Sequence, residues 1–299
     1  MVPDRSHIAT EQSNPESAAL DQMSVRAAVE LLHRQDQRVV DAVGAAREQI
    51  VQAVEWVAEA FQHGGRLVYF GAGTSGRLGV LDASECPPTF CSDPALVVGV
   101  IAGGDAALRK SLENVEDDAA AGAAKARELR LGPRDVALGI AAGGTTPFVH
   151  GALAAARELG ARTIFLMCTD PGHVAFKPDL FIAVHVGPEV LTGSTRLKAG
   201  TATKMVLNTI TTLAMVQIGK TYGNLMVDID ALKNQKLVDR AIRIIGRITG
   251  LDRAAAHALL EKAEGKVKRA VVMQRRGVDA AAADRLLDQA KGRLREVVG

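Results

Sequence analysis

The prediction of the fold starts from one stretch of the sequence, Arg66-Leu67-Val68-Tyr69-Phe70-Gly71-Ala72-Gly73-Thr74-Ser75-Gly76-Arg77. A short apolar run that ends in glycine is typical of a buried parallel strand. The glycines permit a tight turn, and the backbone amides that follow would begin a helix, where anions are stabilised. Thr74 and Ser75 add hydroxyl donors. The stretch therefore predicts a strand, a phosphate-binding loop and a helix, with Gly73, Thr74 and Ser75 as ligand contacts.

Two other interpretations of this loop stay open. Its spacing matches the G-x-G-x-x-G pattern of dinucleotide sites, which also needs a long helix and an acid after the next strand. Pro87-Pro88 predicts an early end of the helix, and the next predicted strand ends in Ala102-Gly103-Gly104 rather than in an acid. The other alternative is a glycine-rich turn without a ligand. A monophosphate site is favoured over both.

Composition and charge narrow the functional classes. The chain has 299 residues with a net charge of +2 and 3% aromatic residues, so nucleic-acid binding has little support. No apolar run reaches the length of a transmembrane helix, and the polar residues Met1–Asn14 lack the apolar core of a signal peptide. The three cysteines and seven histidines show no metal-ligand spacing. We expect a cytoplasmic protein with reduced thiols and no metal, nucleic-acid or membrane partner.

Apolar runs alternate with helical patterns in the middle of the chain. Strands are predicted at 66–70, 96–101, 135–140, 162–167 and 179–184, and helices at about 76–84, 112–129, 146–159 and 171–176. Short connections between alternating elements predict a parallel sheet covered by helices on both faces, a three-layer αβα sandwich with five strands. Ligands of such sheets bind beyond the carboxyl ends of the strands, near a change in strand order.

Helical segments are predicted on both sides of this α/β core. Residues 21–63 show the apolar spacing of two helices, with a break near Gln35-Asp36 and an end at His63-Gly64-Gly65. Residues 234–299 indicate four or five short amphipathic helices, with breaks at Thr249-Gly250, Gly265 and Gly277 and a cap at Asp279. Five basic residues of this region are expected on a solvated face: Lys266, Lys268, Arg269, Arg275 and Arg276.

Two further loops combine glycines with hydroxyl groups. Ala141–Pro147 follows the third predicted strand and offers Gly143, Thr145 and Thr146, with Pro147 suited to the first helical turn. Gly187–Thr201 precedes a long apolar helix at about 201–219. Its candidate contacts with a polyol phosphate are Ser194, Thr195, Arg196 and Lys198. An ordinary turn for the second loop, and a helix cap with solvated charges for the third, stay open as alternatives.

Carboxyl groups near these loops could supply acid–base chemistry. Glu85 closes the helix after the first loop and is either a charge that faces water or an acid directed at a bound sugar. Glu113 and Glu116 belong to an acidic cluster after the second strand and are expected to share one helical face. A solvated acidic face is the alternative. Two carboxyls with separated pKa values can act as acid and base without a metal.

Several stretches resemble the N-acetylmuramic acid 6-phosphate etherase family. They are Thr10–Pro15, Gly71–Pro88, Ile101–Gly104, Thr192–Thr201 and Tyr222–Asp228, and the similarity runs from about residue 10 to the C-terminus. The resemblance implies a sugar isomerase (SIS) fold with a helical tail, in a cytoplasmic homodimer that recycles cell-wall sugar. It predicts an arm with helices over 1–65, a SIS sugar-phosphate-binding domain over 66–228, and a C-terminal helical domain over 229–299.

The resemblance also implies a reaction without a cofactor. N-acetylmuramic acid 6-phosphate and water give N-acetylglucosamine 6-phosphate and D-lactate by elimination and hydration. Glu85 matches the family's proton donor, and Glu116 matches its second catalytic carboxylate, which we assign as the base at C2. Their retention favours this carbon–oxygen lyase over a sugar-phosphate sensor resembling the glucokinase regulatory protein, and over an aldose–ketose isomerase of the same fold.

The second loop departs from the family pattern. The family often has Ala-Ser-Gly-Arg-Thr-Pro where this chain has Ala142-Gly143-Gly144-Thr145-Thr146-Pro147. A serine hydroxyl and an arginine are therefore missing. Thr145 and Thr146 are the candidates to replace them, with Arg196 and Lys198 carrying more of the anion binding as the alternative.

Overall fold

The computed structural model describes residues 5–229, 231 and 235–299. Residues 1–4 of the predicted arm, and residues 230 and 232–234 of the predicted C-terminal region, lie outside the described residues. Contacts within the chain divide it into two units. The first extends to Ser84 and continues with Ala95–Thr211, and the second comprises Glu85–Pro94 and Thr212–Gly299. The predicted domain boundaries after residues 65 and 228 stay predictions.

The α/β sheet is confirmed. Its strands are β1 (Leu67–Gly71), β2 (Val97–Ile101), β3 (Val136–Ile140), β4 (Arg162–Met167) and β5 (Leu180–Ala183). All pairs are parallel, and the spatial order is β2-β1-β3-β4-β5. Every residue of β1 and β3 is buried, as expected for inner strands covered on both faces.

The two N-terminal helices are divided elsewhere than predicted. They are α1 (Val25–Ala45), which Ser24 caps, and α2 (Arg47–Gln62). The predicted break at Gln35-Asp36 is wrong, because the chain turns at Ala46 instead. Gln35 is fully buried within α1 and hydrogen-bonded through its side chain, so a polar residue that looks like a break is part of the packed face.

The helices that follow β1 and β2 also differ from prediction. Helix α3 (Gly73–Phe90) continues through Pro87 and Pro88, which lie in its last turn, so the helix end predicted before these prolines is wrong. The single helix predicted over 112–129 is wrong. The structure has a short α4 (Ala106–Arg109), a 3-10 turn at Val115–Asp117, and α5 (Ala119–Glu128).

The remaining helices of the first unit are close to prediction. Helix α6 (Pro147–Glu158) follows β3, and α7 (Lys198–Gln217) follows the third loop. The helix predicted over 171–176 is a 3-10 turn at Pro171–His173. Side chains of β1, β3, β4 and α6 form the buried core, which includes Phe70, Leu153 and Phe165. Among the described helices, none is long and apolar enough to span a membrane.

The second unit contains a two-stranded ribbon and a group of short helices. The ribbon pairs β6 (Thr221–Tyr222) with β7 (Leu225–Met226). The helices are α8 (Gln235–Thr249), α9 (Arg253–Lys262), α10 (Val267–Arg276), α11 (Ala280–Gln289) and α12 (Leu294–Val298). The predicted short helices and breaks are confirmed: Gly250, Gly265 and Gly277 have positive φ, and Asp279 caps α11.

The solvated face predicted for the basic run of the second unit is wrong for two of its residues. Lys268 and Arg269 are only 8% and 7% exposed. The Lys268 ammonium donates to Asp228 and to two backbone carbonyls, and the Arg269 guanidinium pairs with Glu264 and Asp284. Except for Glu264, these partners lie 15 or more residues away in the sequence. They offset the free-energy cost of burying the two charges.

Candidate functional site

The strand order changes direction at β1. Strand β1 lies between β2 and β3, and Gly71 pairs in register with Ile140 at the carboxyl ends of β1 and β3. The loops after these two strands therefore begin side by side, at the position where parallel α/β sheets bind ligands. The structure thus brings the first and second predicted loops together.

The first loop is a tight strand-to-helix turn. A Cβ atom on Gly71 would lie 2.6 Å from the Gly76 nitrogen, so only glycine allows this approach. The amides of Gly73, Thr74 and Ser75 belong to the first turn of α3, where no intrahelical acceptor exists for them. Gly73 is exposed and the two hydroxyl residues are half-buried. With the helix dipole, this turn is suited to an anion.

Two histidines fix the backbone of the second loop. His173 Nε2 donates to the Gly143 carbonyl at 2.9 Å, and His150 Nε2 donates to the Gly144 carbonyl at 2.8 Å. Gly144 has φ +72°, and a Cβ there would lie 2.4 Å from the Met167 methyl. With both carbonyls held, the half-buried hydroxyl residues Thr145 and Thr146 are placed just before α6.

The N-terminal arm contacts this second loop. A Cβ on Gly143 would lie 3.6 Å from Thr10 Oγ1 and 3.9 Å from Thr145 Oγ1, ordinary contact distances. The φ of Gly143 lies outside the left-handed region. Thr10 is fully buried, and its hydroxyl has no hydrogen-bond partner among the described residues. The position where the family often has serine therefore has room for one, next to an unsatisfied hydroxyl.

The third loop leads into helix α7, whose first amides already bind a carboxylate of the protein. The Glu189 carboxylate accepts hydrogen bonds from the Lys198 amide at 3.0 Å and from the Ala199 amide at 2.9 Å. Ser194 and Thr195 are half-buried and Arg196 is exposed. The start of α7 therefore binds a carboxylate of its own chain rather than offering free amides to a phosphate.

Lys198 is buried and bonded within the protein. It is 2% exposed, and its Nζ donates to Gln35 Oε1 at 2.8 Å. Burial lowers the pKa of Lys198, against the opposing charge of Glu189, and burial raises the pKa of Glu189 against its two backbone hydrogen bonds. The first turn of α7 nevertheless reaches the first loop, since a Cβ on Gly200 would lie 3.6 Å from the Thr74 methyl.

The two predicted catalytic carboxylates are both exposed. Glu85 lies on α3, ten residues after Ser75 on the helix that begins at the first loop. Glu116 lies in the 3-10 turn between α4 and α5. The shared helical face predicted for Glu113 and Glu116 is wrong, because Asn114 adopts φ +62° between them and α5 begins only after Asp118, which caps it.

One protein-family model and several solved structures are similar to this chain. A family model described as the glucokinase regulatory protein N-terminal SIS domain matches residues 49–157. Among solved structures, a phosphoheptose isomerase from Neisseria gonorrhoeae is 21% identical, with 65% of this chain and 98% of that chain covered and a TM-score of 0.49. A phosphoheptose isomerase from Francisella tularensis is 17% identical, with the same coverage and a TM-score of 0.48.

Curated relatives are far more similar. An N-acetylmuramic acid 6-phosphate etherase of Gloeobacter violaceus is 58% identical over 272 residues, 91% of this chain and 89% of the relative. Etherases of the same name from Thermosynechococcus vestitus and Synechococcus elongatus are 54% and 56% identical over 91% and 90% of this chain, and 88% and 87% of the relatives. The chain belongs to the N-acetylmuramic acid 6-phosphate etherase family. The resemblance stated from its sequence stretches is confirmed.

One buried acid of this etherase-family chain escaped the sequence prediction. Asp82 is 5% exposed and accepts hydrogen bonds from Tyr69 Oη at 2.8 Å, Asn208 Nδ2 at 2.6 Å and Thr211 Oγ1 at 3.2 Å. Burial raises its pKa, which these three donors oppose. Asp82 joins α3 to β1 and α7 one turn before Glu85. The sequence contains a signal for it, since a polar residue on the face of α3 that packs against a buried strand needs partners.

The histidines that hold the second loop carry no comparable sequence signal. His150 and His173 are half-buried, and their role in the loop depends on carbonyls that the sequence does not place. Within the described part of the etherase-family chain, no group of three or more histidine, cysteine or acidic residues could hold a metal. The three cysteines are free thiols, as predicted, and Cys86 is buried.

Proposed function

We propose that this protein cleaves the lactyl ether of N-acetylmuramic acid 6-phosphate, giving N-acetylglucosamine 6-phosphate and D-lactate, in the recycling of cell-wall amino sugars. The observation that carries the proposal is the 58% identity with a named etherase over 91% of the chain. The phosphate-suited turn at the switch point of the sheet and the retained Glu85 and Glu116 support it.

The three loops supply the proposed contacts with the sugar phosphate. The first-turn amides of Gly73, Thr74 and Ser75, with two hydroxyls, bind the phosphate. Gly143, Thr145 and Thr146 of the second loop line the same crevice, because β1 and β3 are neighbours. Ser194 and Thr195 of the third loop complete the set of substrate contacts. Lys198 was also predicted as a contact. Its side chain is hydrogen-bonded to Gln35, and it therefore supports the third loop from the protein interior.

The chemistry requires an acid and a base. Ring opening makes C1 an aldehyde, so the C2 proton lies alpha to a carbonyl and can be removed by Glu116. The C3–O bond then breaks as Glu85 protonates the leaving lactyl oxygen, and a C2–C3 double bond forms. Water adds at C3, with one carboxylate taking its proton and the other returning a proton to C2. General acid–base steps of this kind contribute about 10²–10⁴-fold each.

A direct assay tests the proposal. Purified protein is incubated with N-acetylmuramic acid 6-phosphate, and D-lactate is measured with a lactate dehydrogenase. We expect stoichiometric D-lactate and N-acetylglucosamine 6-phosphate, and in D₂O one deuterium at C2 of the product. Absence of lactate release contradicts the etherase, and a product without deuterium at C2 contradicts the elimination route.

A sugar-phosphate sensor is the second candidate. The match of residues 49–157 to a regulatory-protein SIS domain favours it. A sensor would bind N-acetylmuramic acid 6-phosphate in equilibrium dialysis and return it unchanged. Turnover in the lactate assay excludes this candidate, and interconversion of hexose phosphates without lactate would point to an isomerase.

We further propose that the enzyme is a cytoplasmic homodimer. Support comes from α1, where Val25, Val29, Leu32 and Val40 recur at helical spacing and are 81%, 59%, 37% and 58% exposed. A row of exposed apolar side chains is suited to burial against a second copy. Light scattering after size-exclusion chromatography should give twice the chain mass, and Val29→Glu should give the monomer. A wild-type monomer at micromolar concentration contradicts this part of the proposal.

A further inference from the structure

A buried polar cluster joins the N-terminal arm and α1 to the base of the third loop. Its members are Asn14, Gln35, Glu189 and Lys198, which are 3%, 0%, 0% and 2% exposed. These four polar residues come from three separate parts of the sequence, and burial makes each depend on partners that offset its lost hydration.

The Gln35 side-chain oxygen is the centre of this cluster. It accepts hydrogen bonds from Asn14 Nδ2 at 3.1 Å and from Lys198 Nζ at 2.8 Å. The same Asn14 nitrogen donates to the Pro188 carbonyl at 3.2 Å, and Asn14 Oδ1 accepts from the Glu16 amide. Gln35 and Asn14 therefore hold one residue near each end of the third loop, Pro188 near its start and Lys198 near its end.

Glu189 closes the loop at its base. Its two carboxylate oxygens accept the amides of Lys198 and Ala199, so residues directly before and after 190–197 are bonded to each other. The segment above this closure is exposed at Leu191, Thr192 and Gly193, and Gly193 has φ +75°. Backbone hydrogen bonds within the loop, from the Ser194 amide to the Leu191 carbonyl and from the Leu197 amide to the Ser194 carbonyl, shape its turns, and the bonded ends fix where these turns lie.

We infer that Asn14 and Gln35 are positioning residues, which hold Lys198 and Pro188 and thereby place Ser194 and Thr195 of the third loop for sugar-phosphate binding. The inference rests on the proposed function. Fixing the backbone of a flexible residue costs conformational entropy, and a loop that is ordered before binding avoids that cost when the ligand arrives. The buried Lys198 ammonium acts on the substrate through the loop, since Gln35 already accepts from it.

Gln35→Met tests the inference, with Gln37→Met as its matched control. Methionine keeps the length of glutamine but leaves Asn14 and Lys198 without their shared acceptor. Gln37 lies on the same helix and is exposed. We expect Gln35→Met to weaken binding of N-acetylglucosamine 6-phosphate in calorimetry, and to raise KM, at least tenfold at 20 °C, with kcat changed less than threefold. Gln37→Met should match the wild type.

A double-mutant cycle separates positioning from general destabilisation. Asn14→Ala removes the hydrogen bonds of the Asn14 side chain to Gln35 and to Pro188. It should weaken product affinity about fivefold, which corresponds to roughly 1 kcal/mol. The double variant should be weakened less than the product of the two single effects, because both act through one acceptor. If Gln35→Met does not fold, Asn14→Ala alone tests the proposal.

The outcomes distinguish this inference from the proposed function. Wild-type protein that binds the product but releases no lactate contradicts the etherase and leaves the affinity test intact. Variants with a lower melting temperature but unchanged product affinity and KM overturn the inference, because a merely structural cluster gives that pattern. Wild-type protein that does not bind the product overturns both.

Discussion

Helices α3 and α7 both begin next to glycines and hydroxyl residues, but their N-termini have opposite electrostatic environments. Each follows a loop of glycines and hydroxyl residues in the first unit. The first turn of α3 offers amides that have no acceptor within the helix, whereas the amides that begin α7 bind the Glu189 carboxylate. An internal carboxylate satisfies the same donors that a phosphate would. The comparison teaches that a helix start is an anion site only when the fold leaves it free.

The largest expected effect concerns the carboxylates that would act on a sugar held at α3. Glu85→Gln and Glu116→Gln should each lower kcat by about 10²–10⁴-fold, because an amide cannot transfer the proton. Product affinity, measured by calorimetry, should change little. Glu113→Gln is the control, since Glu113 is exposed on the same segment as Glu116 and has no proposed role. Near-normal turnover in both variants would contradict the assignment of Glu85 and Glu116 as the catalytic acid and base.

Ser75→Asp would give α3 the carboxylate that α7 already has. An aspartate in the first turn competes for the free amides and repels a phosphate. We expect product affinity to fall at least a hundredfold, about 3 kcal/mol for charge-assisted hydrogen bonds lost at this turn. Ser75→Asn, of similar shape and neutral, should cost much less. Equal losses in both variants would show that shape rather than charge decides binding at α3.

Glu189→Gln tests the carboxylate that binds the first amides of α7. Glutamine has one oxygen where glutamate has two, so one buried amide of α7 loses its acceptor and Lys198 loses a nearby opposite charge. We expect the free energy of unfolding in urea to fall by about 2 kcal/mol. Glu16→Gln, at an exposed acid of the arm, should leave it unchanged. A variant as stable as the wild type would contradict a structural role for Glu189.

The smallest expected effect concerns the second loop. Gly143→Ser has room for its side chain and places a hydroxyl near Thr10 Oγ1, which has no partner within the described chain. We expect a gain of about 1 kcal/mol in the free energy of unfolding, from one new hydrogen bond. Gly144→Ser is the control and should destabilise, since its Cβ would overlap Met167. Destabilisation by both substitutions would show that the second loop has no spare volume at residue 143.

Local patterns predicted most of the fold correctly. The five strands come from apolar runs bounded by turns, and the breaks at Gly250, Gly265 and Gly277 come from residues that adopt positive φ at low cost. The glycine turn that begins α3 could also be predicted from the sequence, because its glycines and hydroxyl residues are adjacent in the chain. In each case the residues that determine the structure lie within one turn or strand of each other.

Three errors of the sequence prediction have a different origin, in contacts between residues far apart in the chain. Gln35 was predicted at a helix break, and Lys268 and Arg269 on a solvated face. All three are buried because partners far along the chain satisfy them: Asn14 and Lys198 for Gln35, Asp228 for Lys268, and Asp284 for Arg269. A polar residue in a sequence is read as exposed until its partner is known, and only the fold supplies that partner.

The sequence alone determined where the five strands lie along the chain, the glycine turn that begins α3, and the family to which the chain belongs. The tertiary structure decided which helix N-terminus is free, where the Lys198 ammonium binds, and that Asp82 and Gln35 are buried. The physical reason is one of range. Backbone conformation follows from neighbouring residues, whereas the free energy of a charge or a polar group depends on burial and on partners that folding brings from elsewhere in the chain.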